Sequence, residues 1–242
     1  MLTELALSQY PAVLPLFQPL DFNLVIRSVV EGHTPAWVYA DDPTSSRAAL
    51  LWDRQDALLI AGDSHDANLR ADLGDRIRDH IVPDARARWI PELTLFYTPG
   101  WERTLPALLD GFRLQPAQRL NYRLPNGQWS QPVPLPSPAG FELRRIDDGL
   151  LVSHLAYLDQ VRGWIDSFWH RPEDFLHTGF GFCALVDDQI ASWCLTVFAA
   201  GSARELGLAT VPTFRGRGLA TRLAAACVEH ALTHDIRPHW HC

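Results

Sequence analysis

Chemistry concentrates in one short stretch, Arg215-Gly216-Arg217-Gly218-Leu219-Ala220. It lies between a strand-like run, residues 203–211, and a helix-like run, residues 219–233. Two glycines at such a junction allow a tight turn and leave backbone N–H groups bare. The first N–H groups of a helix, here those of Leu219, Ala220 and Thr221, have no intrahelical partner, and the helix dipole adds partial positive charge beside them. That arrangement takes an anion. Arg215 and Arg217 add two full charges. The chemistry predicted is the gripping of a pyrophosphate.

Three nucleotide-binding designs share this logic. A P-loop needs Gly-x-x-x-x-Gly-Lys-Ser/Thr, and the stretch has no Lys. The dinucleotide fingerprint needs a third glycine where Thr221 stands, and a second βαβ half for which Cys242 leaves no room, so a Rossmann oxidoreductase is the weakest class. The third is the coenzyme A loop of the GNAT N-acetyltransferase superfamily, Arg/Gln-x-x-Gly-x-Gly/Ala. The chain resembles it at Arg215, Gly218 and Ala220. The resemblance extends to the segment 181–194 as a central hairpin, 205–212 as a fourth strand, and Arg237-Pro-His-Trp-His-Cys as a fifth. It covers the chain from Gly140 onward. Within the superfamily, the two-part layout and the Gly181-Phe-Cys-Ala and Pro238-His-Trp-His-Cys segments resemble the resistance type that acetylates zwittermicin.

The resemblance implies an α/β fold with a mixed sheet and acetyl-CoA as co-substrate, without a metal. Leu208, Ala209, Thr210 and Val211 would pair with the pantetheine arm, where the fourth strand bulges from the fifth. Residues Arg215, Gly216, Arg217, Gly218, Leu219, Ala220 and Thr221 would hold the pyrophosphate. Glu205, the only carboxylate on the fourth strand, matches the family's general base; the competing role is a solvent-facing strand residue or an arginine partner. An alkylamine is largely protonated at neutral pH, so a base or a desolvating pocket is required. Trp164, Phe168 and Trp169 fall where the family builds its acceptor pocket, and aromatic packing between helix and sheet is the competing role. The family's fourth helix, with its general-acid Tyr, and its last two strands have no counterpart before Cys242, so the domain is expected to be incomplete at its C-terminus. The implied activity is acetyl transfer to a primary amine of a small molecule by direct attack in a ternary complex. The alternative is a non-catalytic acyl-CoA-binding module serving as sensor or scaffold.

Elements must position these residues. In the first part, 37–40, 48–52, 57–62 and 93–98 read as strands, 119–124 as the last strand, and 69–81 and 101–109 as helices; Leu69, Leu73, Ile77 and Ile81 carry the helical spacing. Residues 1–124 therefore read as an α+β domain, either a degenerate GNAT-like half without a cradle or an unrelated fold. Prolines crowd 125–139, the expected linker. The second domain, 140–242, begins with a strand at 141–146 and a helix at 150–160. A hairpin follows at 180–186 and 190–197, then the strand at 203–211. Leu219, Leu223, Cys227 and Ala231 give the last helix an apolar row that packs on the sheet.

Composition excludes other classes. Of 242 residues, 47% are hydrophobic and 20% charged, ordinary globular values that allow two small domains. A net charge of −7 disfavours a nucleic-acid partner. No apolar run suits a membrane span, and Met1-Leu-Thr-Glu-Leu lacks a secretion pattern. Cys183, Cys194, Cys227 and Cys242 form no Cys-x-x-Cys pair and read as thiols, which points to the cytoplasm. His230, His234, His239 and His241 lack a recurring ligand spacing, so no metal is expected. The expected partner is a small amine, with homodimerisation left open.

Overall fold

The computed structural model describes residues 1–123 and 140–241, and the chain divides into two compact units, Met1–Gln118 and Arg119–Cys242. The segment 125–139, read from sequence as a linker, lies outside the described residues.

In the first unit the apolar runs become strands buried on both faces. The elements are β1 (Thr3–Glu4), a 3-10 segment (Leu7–Leu20), α1 (Leu24–Val30), β2 (Trp37–Ala40), β3 (Ala48–Trp52), β4 (Ala57–Gly62), α2 (Ala67–Arg76), α3 (Val82–Ala87), β5 (Thr94–Tyr97) and α4 (Leu105–Leu108). The sheet order is β1-β2-β3-β4-β5; the first four strands are an antiparallel meander, and β5 returns parallel to β4. The crossover from β4 to β5 is the helix expected at 69–81. It continues beyond that range through a π turn, Ile77–Ile81, into α3. The wider turn precedes Pro83, which has no N–H to donate to a regular helix. Leu73, Ile77 and Ile81 face a core shared with Leu50, Trp52, Leu58 and Ile60. The helix expected at 101–109 shrinks to α4, because buried Trp101 donates its indole N–H to the carbonyl of Gly62 (3.1 Å) and the turn it anchors occupies the preceding residues.

The second unit contains β6 (Asn121–Arg123), β7 (Glu142–Arg145), α5 (Asp148–Leu151), α6 (Leu158–Phe168), α7 (Pro172–Thr178), β8 (Gly181–Val186), β9 (Gln189–Ala200), β10 (Ala203–Thr210), a 3-10 turn (Pro212–Phe214), α8 (Leu219–Thr233) and β11 (Arg237–His241). Its sheet runs β6-β11-β10-β9-β8-β7. Again an antiparallel meander, β7 to β10, ends in a crossover helix and a parallel pairing, β10 with β11. The strand read from sequence as the last of the first part, 119–124, contributes β6 to this second sheet, antiparallel to β11 with Tyr122 opposite Trp240. The helix expected at 150–160 is interrupted. Ala156 leaves the helical path because its carbonyl accepts from the Ile190 amide (3.0 Å) and its amide donates to Asp188 (3.1 Å), so α6 restarts at Leu158 after Tyr157 in the left-handed region. On α8, Leu219, Leu223, Cys227 and Ala231 are buried against Ala184, Ala191, Cys194 and Leu206, as their spacing predicts. Among the described residues no helix is long and apolar enough to cross a membrane.

Candidate functional site

Between β10 and α8 the backbone makes the turn that the glycines imply. Gly216 and Gly218 have φ of 76° and 75°, and Gly218 is the N-cap of α8 without any side-chain cap. A Cβ built on either glycine would meet nothing within 4 Å. The glycines are thus selected for backbone conformation, and the space before the helix is open. Residues 215–218, which lead into the uncapped first turn, are exposed. Arg215 lies back along the strand, its Nε 3.3 Å from the carbonyl of Thr210, and Arg217 stacks over Phe214 at 5.2 Å. Among the described residues neither guanidinium pairs with a carboxylate.

These groups line one cavity of about 400 Å³, bounded by Leu208, Ala209 and Thr210 on β10, Phe214, and the run 215–220. The structure thereby brings together most of the predicted coenzyme residues. Val211 is buried at its base, its amide donating to Ala191 (3.0 Å), and Thr221 is exposed just beyond the lining. Ser192 fixes this end of β10: its hydroxyl donates to the carbonyl of Ala209 (2.7 Å) and lies 2.8 Å from Thr210 Oγ1.

β10 parts from β11 at Glu205. The parallel pairing covers only Ala203, Arg204 and Glu205. At the next step the register with β9 shifts, since Phe198 faces Glu205 and Thr196 faces Leu206, leaving Val197 as an extra residue. Among the described residues, Leu206 to Thr210 pair with β9 and not with β11, which opens the β11 side of the strand to another partner.

Glu205 stands at this fork with a side chain only 8% exposed. It is neither solvent-facing nor paired with an arginine among the described residues. Its Oε2 is 3.3 Å from His239 Nδ1, and its Oε1 is 3.3 Å from His241 Nδ1. Alternation along β11 explains the cluster. Trp240 turns toward the α8 core, so His239 and His241 share the opposite face with Glu205, whose register partner is His239. Burial raises the Glu205 pKa, but the electrostatic interaction with the two imidazoles outweighs it and holds the carboxyl below its ordinary value.

The same face carries aromatic side chains. Trp164 seats on β10 at Gly207, where a Cβ would come within 2.9 Å of its ring and 2.6 Å of Val197. It packs edge-on against Phe168 (6.0 Å) and Trp193 (5.7 Å), and Phe168 meets Phe198 (5.5 Å). The structure brings Trp164 and Phe168 beside the fork and takes Trp169 away. Trp169 is 1% exposed, donates its indole N–H to the carbonyl of Thr196 (3.0 Å) and packs on Phe175 (5.8 Å), so it is a packing residue with no surface left for a ligand.

Sequence reasoning singled out Glu205 without finding its two imidazole neighbours. The i, i+2 spacing of His239 and His241 signals a shared face; which strand faces them is set by register. Burial pushes the Cys183 thiol up to about 12, and a hydrogen bond with Cys227, together with burial, raises Cys194, which makes both poor nucleophiles.

Comparison with known proteins bears on the family and the fold. The chain is 24% identical over its whole length to an uncharacterized N-acetyltransferase of Bacillus subtilis (strain 168), YdfB, covering 88% of it. A GCN5-related N-acetyltransferase-like protein from Streptococcus suis shares the fold with a TM-score of 0.63 at 21% identity, over 97% of this chain and 88% of that one. A tandem GNAT protein from the clavulanic acid biosynthesis pathway matches with a TM-score of 0.53 at 15% identity, over all of this chain and 89% of that one. The GNAT acetyltransferase family model matches residues 15–242, and the chain belongs to that family.

Proposed function

We propose that the protein transfers the acetyl group of acetyl-CoA to a primary amine of a small molecule, by direct attack in a ternary complex. The observation that carries this reading is the parting of β10 from β11 at Glu205, with the bare N-terminus of α8 at the far end of the opened strand. The uncapped amides of α8 and the two arginines suit a pyrophosphate, and the unpaired edge at Leu208, Ala209 and Thr210 suits an extended amide-bearing arm. Acetyl-CoA, when bound, supplies an activated thioester.

This chain's residues do the rest. A backbone amide of Leu208 or Ala209 polarises the reacting carbonyl as charge develops on it. Glu205, ionised at neutral pH, accepts the ammonium proton through water so that a neutral amine attacks. Trp164 and Phe168 exclude water and offer aromatic faces to the acceptor. Free buried thiols at Cys183, Cys194 and Cys227 support a reducing compartment such as the cytoplasm.

Thiol release from acetyl-CoA, measured over a panel of small amines and paired with calorimetry, tests the proposal. Turnover that collapses in Glu205→Gln while acetyl-CoA still binds supports it. Binding without turnover on any amine, unchanged in that variant, assigns the protein to a sensing or scaffolding role.

A further inference from the structure

The cluster at the fork holds an unexplained feature. Glu205 Oε2 and His239 Nδ1 are both buried and face each other at 3.3 Å, yet neither makes a hydrogen bond in this geometry. Leaving two buried polar atoms unsatisfied is unfavourable unless something else engages them. The third member, His241, holds its Nδ1 at 3.3 Å from the other carboxylate oxygen, and its side chain is 5% exposed. One ligand atom from each of the three residues lies within 4.8 Å of the other two.

We propose that Glu205, His239 and His241 form a binding site for a divalent transition-metal ion, zinc in the first instance. Two imidazole nitrogens and a carboxylate are a donor set such ions accept, with one position left open. Two ligands at about 2.0–2.1 Å on a tetrahedral ion stand about 3.3 Å apart. Each imidazole Nδ1 lies at about that distance from one carboxylate oxygen, His239 from Oε2 and His241 from Oε1. The imidazole rings meet edge to face, with planes 85° apart, instead of stacking. The parting of β10 and β11 immediately after Glu205 gives an ion a way in. Binding places the ion on the oxygens that a base at Glu205 needs, so zinc is expected to inhibit acetyl transfer; that consequence, unlike the binding itself, rests on the function proposed above.

The full chain, stripped by chelator and dialysed, is titrated with Co²⁺ alone while its visible absorption is followed, and then with Zn²⁺. The expected result is one equivalent of Co²⁺ bound with the d–d bands of a low-coordinate nitrogen–oxygen site, displaced by Zn²⁺, which stands above Co²⁺ in the affinity order. Glu205→Gln, His239→Gln and His241→Gln are each expected to weaken binding at least about tenfold. Thermal melts identify which variants are folded, and His241→Gln on the last strand residue keeps the test open if His239→Gln unfolds. His230→Gln controls for the other histidine pair, whose rings lie 4.0 Å apart on α8, and is expected to change nothing. No bands in the wild type, or binding lost in His230→Gln and retained in the three others, overturns the assignment. Zinc that binds in the cluster while acetyl transfer continues undiminished upholds the metal site and instead overturns Glu205 as base.

Discussion

The two units repeat one plan, an antiparallel meander followed by a helical crossover into a parallel strand, and they differ at the corner where strand meets helix. In the first unit that corner is Asp63-Ser64-His65-Asp66. Asp66 Oδ1 caps α2 by accepting from the amides of Asn68 (2.9 Å) and Leu69 (3.2 Å), and Asp63 accepts from the amide of His65 (2.8 Å). The helix N-terminus there is filled by the chain's own anions. In the second unit the corner is glycine and arginine, and α8 is uncapped. The parallel pairs differ too. β4 and β5 stay in register for four residues, Ala57 to Ile60, whereas β10 and β11 part after three. The same topology closes at this corner in one copy and opens in the other.

The buried carboxylates extend the contrast. Asp53, in the turn between β3 and β4, is desolvated with its Oδ2 unpaired, and burial outweighs the amides of Gln55 and Ala57, lifting its pKa to about 7. Glu205 is also buried, yet its pKa moves the other way, because two imidazoles accompany it.

The largest expected effect is at Glu205. Removing the base by Glu205→Gln is expected to lower kcat by about 10²–10⁴-fold, with calorimetric acetyl-CoA affinity little changed. Gly218→Glu puts a carboxylate and a strained left-handed residue into the open corner. Acetyl-CoA affinity is expected to fall about 100-fold by calorimetry, equivalent to roughly 3 kcal/mol; unchanged affinity would erase the difference between the corners. Asp53 gives a pH signature. Its folded pKa exceeds the unfolded value of 3.8, so ionisation opposes folding. The stability contributed by Asp53 is expected to be full below about pH 4, to decline through pH 7 and to level off above it. Between pH 5 and pH 8 the loss is on the order of 2 kcal/mol, read as a shift in urea midpoint and absent in Asp53→Asn. The smallest effect is at the closed corner. Asp66→Ala is expected to remove about 1 kcal/mol of stability and to leave acetyl-CoA affinity untouched.

Local pattern made much of the second unit legible. The hairpin of β8 and β9 and the row Leu219, Leu223, Cys227, Ala231 follow from residues a few positions apart, and α8 begins and ends where its periodicity does. The cradle was legible because its chemistry resides in consecutive residues. What sequence missed is non-local. The pairing of β6 with β11 joins residues more than a hundred positions apart, and nothing in residues 121–123 names the partner sheet. The Glu205 cluster depends on parallel register between β10 and β11, which periodicity does not specify. The break before α6 comes from a backbone contact at Ala156, invisible to a helical pattern of side chains. Trp169 resembles its aromatic neighbours in sequence, yet its position at the end of α6 sends it into the core.

The placement of β6 also governs how this protein tolerates dissection. Cutting at the proline-rich stretch, where a reader of the sequence would divide it, strips β11 of its outer neighbour and leaves a row of unsatisfied ladder groups beside the histidines. Such a fragment is expected to self-associate edge to edge. A fragment beginning at Arg119 keeps β6 on β11, so that its sheet ends on the same strands as in the whole chain.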